Sequence, residues 1–353
     1  MSNILVSVVI PVYNSADVMD DRCMHVFDQT LEDIEFIFVD DFSEDGSYER
    51  LLSYKERFKD KNIKVLRNEK NLGAGPTRNA GLSVATGKYV YFIDADDQMV
   101  ATLLSEAVEK MEAEQSDLLF IAHSHETGDR VITHHLPLHA INTHSIESIR
   151  MHAAHLPQNP WTRVIRRELM TANNITFPDI RNGHSMCCSL HMLLCAERVS
   201  FLDEVLYRHI FTENSLSLRR RLSCIFEVYN YNCALIRKYG YYEKLHQSVF
   251  IELLKGYTHG LMRLGEQEKL DLTEKFFSSP DAMANLNELM SSFTFWEKKP
   301  FYKLVQRATG KDFRRTIRER HILFLKCQIA RKYYHKLQVR QNQSAQPAME
   351  QAK

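Results

Sequence analysis

The chain has no net charge to offer a polyanion: 45 Lys and Arg balance 45 Asp and Glu over 353 residues, so no global bias points to nucleic acid. Paired cysteines are missing too. The seven present (Cys23, Cys187, Cys188, Cys195, Cys224, Cys233 and Cys327) are odd in number and show no CxxC spacing. That excludes a disulfide framework or a structural zinc module and predicts a reducing, cytoplasmic setting. No apolar run reaches the length of a membrane-crossing helix. The opening ILVSVVI lacks a basic flank and is cut off by Pro11, so it does not read as a signal peptide. What remains, 44% hydrophobic and 25% charged residues, fits a globular protein of one large or two medium domains.

The first hundred residues alternate between two periods. VSVVI (6–10), IEFIFV (34–39), IKVL (63–66) and YVYFI (89–93) are short β-branched and aromatic runs of the kind that form buried strands. Segments 15–29, 47–58, 74–86 and 100–114 carry helical spacing. Strand followed by helix, repeated, predicts an α/β fold with a mostly parallel, Rossmann-like sheet covered on both faces.

Ligands of such sheets bind beyond the carboxyl ends of the strands. Here those ends read PVYN (11–14), DDFSEDGS (40–47) and DADD (94–97). Three carboxylates in four residues, Asp94, Asp96 and Asp97, repel one another unless a cation compensates them, so the cluster reads as half of a divalent metal site.

Taken in order, VSVVIPVYN, VDDFSEDGS, NLGAGPTRNAGLSVATGKYVYFIDADD, NPWTRVIRREL and VLYRHIFTENSLS resemble the nucleotide-sugar glycosyltransferases of family 2, which have the GT-A fold; the resemblance runs over residues 4–217. It implies a sugar-nucleotide donor, most often UDP-linked. Pro11, Tyr13 and Asn14 would shape the base pocket, and Asp41 would accept a hydrogen bond from the base. Asp96 and Asp97, with Asp94, would hold Mn²⁺ or Mg²⁺ against the diphosphate and meet the ribose. Arg78, near the start of a helix in GAGPTRNAG, would either face the diphosphate or be buried in an ion pair. Trp161 and Arg163 stand where the family has a Trp-x-Lys segment and would line the acceptor pocket.

The family's catalytic base is usually an acid a few residues after a Phe-Pro pair. Here Phe177 and Pro178 are present, but His184 and Ser185 occupy the acidic positions. His184 would then be the base, its neutral imidazole accepting a proton near neutrality, with Asp179 as the alternative. The departure also feeds a rival expectation, a scaffold that binds a sugar nucleotide and no longer transfers sugar. A nucleotidyltransferase ranks last, for want of a Gly-rich basic loop near the start.

Other signals carry less. The histidine-rich stretch 122–144 lacks ligand spacing on a helix or turn and reads as a solvated insertion, and Cys187 and Cys188 read as core. From 218 to 340 the pattern is helical, ending in basic amphipathic segments (298–340) suited to an anionic membrane surface, where a glycan or lipid-linked acceptor of surface polysaccharide or lipopolysaccharide synthesis would sit. Residues 341–353 form a polar tail expected to be disordered.

Overall fold

In the computed structural model the described residues are 4–210, 224–263 and 271–291, apart from Thr273 and Phe277. The chain divides into two compact units, Met1–Leu218 and Arg219–Lys353.

The first unit is built on one sheet. Its chain order is β1 (Val6–Val12), α1 (Ala16–Arg22), β2 (Ile34–Asp40), α2 (Ser47–Arg57), β3 (Asn62–Arg67), α3 (Ala74–Ser83), β4 (Tyr89–Phe92), β5 (Gln98–Met99), α4 (Leu103–Glu114), β6 (Leu118–Thr127), β7 (Arg130–His134), α5 (Ile146–Met151), β8 (Arg163–Arg166), α6 (Arg167–Ala172), α7 (His184–Cys195) and β9 (Val199–Ile210). The strands lie in the order β3-β2-β1-β4-β8-β6-β9-β5, with β7 hairpinned onto β6.

Period-two alternation sends successive side chains of the central strands to opposite faces. Val8, Ile10, Phe36, Phe38, Tyr89 and Tyr91 join one buried cluster, and Val9, Ile37, Val39, Val90 and Phe92 join the other. Each such side chain adds about 1.5–3 kcal/mol of burial, which is why these runs are predominantly apolar instead of alternating with polar residues. β1 pairs in parallel with β2 and β4, and β2 with β3. The other half is mixed: β8 lies antiparallel between β4 and β6, and β9 runs parallel to β6. The expected parallel sheet is therefore its first half.

Two details set the working edge. Register aligns Val12 with Asp40 and Asp40 with Arg67, so the carboxyl ends of β1, β2 and β3 are level. Helix α3 packs so close to β1 that a Cβ on Gly81 would stand 2.4 Å from Val9 Cγ1; only glycine allows the approach.

The stretch 122–144 is not the solvated insertion expected of it. Residues 118–124 are buried in the sheet as part of β6, whereas β7, the turn before it and several residues after it are exposed. The histidines alternate with apolar and small residues on a strand, and their rings pack against one another and Trp161.

The described part of the second unit is helical: α8 (Ile225–Lys238), α9 (Tyr242–Arg263) and α10 (Pro280–Ser291). Phe226, Tyr229, Ile236, Phe250 and Phe276 are buried in it. Gly240, with φ +74°, follows α8 and supplies the left-handed residue that ends many helices. Among the described residues no helix is long and apolar enough to cross a membrane. Residues 212–217, the basic stretch 298–340 and the tail 341–353 lie outside the described residues.

Candidate functional site

Beyond β1 and β2 the chain forms an apolar rim around a buried acid. Tyr13 is 45% exposed and Phe42 40%, and Leu72 is exposed beside them. Phe42 holds φ +65°, a conformation costly for a bulky residue and most often retained where function requires it. Asn14, at φ +47°, ties the two loops together: its amide N–H donates to Ser43 Oγ at 3.0 Å, and its Oδ1 accepts from Glu44 N at 3.0 Å. Pro11 sits within β1 opposite Val39. Asp40 serves the loop, accepting from Ser43 N at 3.2 Å and pairing with Arg67 at 3.2 Å.

Asp41 is 3% exposed and accepts three hydrogen bonds from the segment after β3: Asn68 Nδ2 (2.8 Å), Leu72 N (2.8 Å) and Gly73 N (2.7 Å). A carboxylate offers about four acceptor positions. Asp41 therefore braces the entrance of α3 and keeps room for one more donor.

The three carboxylates after β4 have three different fates. Asp94 pairs with Arg78 Nη2. Arg78 is buried, and its Nη1 lies 3.0 Å from His184 Nε2. Guanidinium can only donate, so His184 Nε2 accepts and the proton sits on Nδ1, which lies 3.1 Å from the Ile180 carbonyl. Of the two alternatives for Arg78 the structure shows the buried ion pair, and the His184 lone pair that a base would use is engaged by a cation.

Asp97 is 1% exposed. Its oxygens accept from Tyr207 Oη, from His209 Nδ1 at 2.9 Å and from Ile210 N at 2.9 Å. Burial raises its pKa, and burial alone would lower that of His209, but the Asp97 carboxylate outweighs it and raises His209. Asp97, expected as a metal ligand, is held in this structure by Tyr207, His209 and the Ile210 amide.

Asp96 is the member left over. Among the described residues no cationic side chain forms an ion pair with it, although Arg22 donates to its backbone carbonyl at 3.3 Å. Burial first, then the neighbouring Asp97 and Asp94, push its carboxyl up from 3.8 to about 6. The three aspartates do not converge as a preformed ligand set. Mg²⁺-class ions commonly bind through one or two carboxylates and complete their shell with substrate phosphates and water. A single under-compensated carboxylate fits that donor set.

Trp161 and Arg163 do not reach a surface. Trp161 is 3% exposed, stacked on Tyr207 at 4.3 Å and on His209 at 5.3 Å, with His123 edge-on at 4.9 Å. Arg163 is wholly buried, donates to the Pro157 carbonyl and lies 4.8 Å over Phe120. Burial lowers its pKa to about 10. Both were expected to line an acceptor pocket; instead Trp161 backs the two residues that hold Asp97. Asp179 is exposed, on a loop pinned by Asn79, whose side chain bonds Phe177 N (2.9 Å) and O (2.8 Å).

Sequence reasoning assigned no role to Phe42, Tyr207 or His209. The alternation in VLYRHI does place Tyr207 and His209 on one face of β9, but their partner lies 110 residues upstream of Tyr207.

A helix-covered sheet with acidic and aromatic residues gathered at its carboxyl edge belongs to the GT-A class of nucleotide-dependent fold. S. aureus TarS 1–349 in complex with UDP has this fold, with a TM-score of 0.67 at 20% identity over 90% of this chain and 91% of that one. The Glycosyl transferase family 2 model matches residues 7–175. EpsJ of Bacillus subtilis, an uncharacterized glycosyltransferase, is 32% identical over 220 residues, 61% of this chain and 62% of its own length. TuaG of the same organism, a putative teichuronic acid biosynthesis glycosyltransferase, is 31% identical over 215 residues, 60% of this chain and 81% of its own. The chain belongs to glycosyltransferase family 2.

Proposed function

We propose that the protein is an inverting glycosyltransferase that moves a sugar from a UDP-linked donor to a hydroxyl of a glycan or lipid-linked acceptor in surface polysaccharide synthesis. The observation that carries the reading is Asp96, the one carboxylate of its trio without a compensating side-chain cation, at the carboxyl edge of the sheet. The base would lie between Tyr13 and Phe42, with Asp41 accepting from it. Asp94, half-exposed and oriented by Arg78, would meet the ribose. Mn²⁺ or Mg²⁺, bound by Asp96 together with the substrate phosphates, would offset the charge that develops on the departing UDP.

Transfer requires that the acceptor hydroxyl lose its proton as its oxygen attacks the anomeric carbon. Asp179 is the better candidate for that proton, because its carboxylate is open to solvent while the His184 lone pair faces Arg78. UDP and the polysaccharide setting draw on the bound nucleotide of TarS and the described role of TuaG. The cytoplasmic face of a membrane, touched through residues 298–340, would bring enzyme and acceptor together.

The Arg78–His184 bond also favours a second reading, a protein that binds the donor without turning it over. Nucleotide release from a panel of sugar nucleotides with Mn²⁺, in the presence of membrane-extracted acceptors, separates the two. Turnover of one donor, abolished by Asp179→Asn, supports transfer; UDP binding with no donor consumed supports the scaffold.

A further inference from the structure

The β6–β7 hairpin gathers three imidazoles on one side. Register pairs His123 directly with His134, and His125, two residues along β6, projects to the same side. Ring centroids stand 4.9 Å apart for His123 and His134, 4.4 Å for His125 and His134, and 5.0 Å for His123 and His125. Each residue offers one nitrogen, and the three nitrogens lie within 4.8 Å of one another.

Two of these side chains carry a buried nitrogen with no hydrogen-bond partner, His123 Nδ1 and His134 Nε2. An orphaned buried polar atom costs about 1–3 kcal/mol, and two side by side call for an occupant. Ring stacking does not supply the reason, since phenylalanine would stack as well without that cost. With no hydrogen-bond partner to fix the tautomer, each of these nitrogens can present its lone pair, which is complementary to a cation.

We propose that His123, His125 and His134 bind a divalent transition metal of the zinc class, leaving a fourth coordination position open. Imidazole selects zinc, copper or nickel over the oxygen-seeking Mg²⁺ and Mn²⁺, so this centre is chemically distinct from Asp96. Zinc sits about 2.0–2.1 Å from each histidine nitrogen, which puts tetrahedral ligands roughly 3.3 Å apart. The rings need close by only about 1.5 Å, within the broad χ2 freedom of histidine. His125 and His134 are only half-buried, so solvent metal has a route in.

The test uses the full chain without an affinity tag, stripped by chelator and dialysed against Zn²⁺, with Co²⁺ as the spectroscopic probe. The expected result is about one Zn²⁺ per chain and the visible bands of four-coordinate Co²⁺. His134→Gln and His125→Gln, made separately, should each weaken binding by about a hundredfold or more, above the loss seen when only a supporting residue is changed. His139→Gln and His144→Gln, from the same segment but outside the cluster, should bind as the parent does. Circular dichroism confirms that each variant is folded, and if one is not, the other histidine variant and the parent's own stoichiometry decide. Sub-stoichiometric uptake at saturating Zn²⁺, or unchanged affinity in a folded His134→Gln chain, overturns the site.

Discussion

Replacing Asp96 with asparagine should move stability and ligand binding in opposite directions. The side chain keeps its shape and loses its charge. In the folded protein that carboxyl titrates near 6 instead of 3.8, first because it is buried and then because Asp97 and Asp94 are close. A gap of that size corresponds to roughly 3 kcal/mol, of which partial screening by solvent leaves about 1–2 kcal/mol. The sign follows from linkage. With the folded pKa raised above the unfolded one, the group's contribution is fully present below about 3.8 and lost as pH rises through about 6. At pH 7.5 the parent protein has lost it, and Asp96→Asn has nothing to lose. The variant should therefore melt a few degrees higher at pH 7.5, in line with about 2–4 °C per kcal/mol for a unit of this size, and the advantage should vanish near pH 4. Scanning calorimetry of both proteins from pH 4 to 8 measures it. Adding Mn²⁺ with a sugar nucleotide should raise the melting temperature of the parent alone. A variant less stable than the parent at pH 7.5, or an advantage that does not change with pH, refutes the electrostatic reasoning.

The proton acceptor is open to a direct comparison: Asp179→Asn should lower kcat by about a hundredfold or more, whereas His184→Gln should keep it within about tenfold, both read as nucleotide release; the reverse order would restore His184 as the base. Phe42→Gly relieves a strained φ worth about 1–3 kcal/mol and removes an exposed ring, so stability should hold while UDP affinity falls roughly five- to tenfold or more, the scale of one base–aromatic stack; calorimetric titration reads the affinity. His209→Ala leaves the buried Asp97 carboxylate without its cation and should cost about 3–5 kcal/mol by denaturant unfolding, and a change under about 1 kcal/mol would show that the pair is not charged.

The sheet was legible because buried strands announce themselves. Runs such as VSVVI and IEFIFV are apolar but for Ser7 and Glu35, which bond each other, and each became a strand with both faces covered. The carboxyl edge followed from the same pattern, since polar clusters directly after such runs have nowhere else to go. Side-chain direction was not legible. DADD presents three aspartates to a reader, but the twist of the chain gives one to Arg78, one to His209 and leaves one open, and those cations arrive from α3 and β9. Trp161 suffered similarly: a flat ring suits a sugar, yet Tyr207 and His209 cover it. In the 122–144 stretch the histidines meet through strand alternation and hairpin register, a relation that linear spacing does not display.

The arrangement of the three aspartates also fixes how proton and metal should compete. Two carboxylates are neutralised from within the protein, so a cation arriving with substrate has one to bind, and near pH 6 that one is half protonated. Metal must displace the proton. Apparent affinity should be flat above about pH 7 and fall by about tenfold per pH unit below 6, the slope of a single displaced proton. UDP is a poor probe, because a terminal phosphate has a second pKa near 6 of its own. A sugar nucleotide avoids this, its phosphates being diesters, so Mn²⁺ titrations at constant sugar-nucleotide concentration isolate the protein's proton. In Asp96→Asn the residual affinity should be weak and independent of pH. Affinity that stays flat down to pH 5 in the parent would mean that the metal does not use Asp96, and the search for its ligand would move to Asp94 released from Arg78.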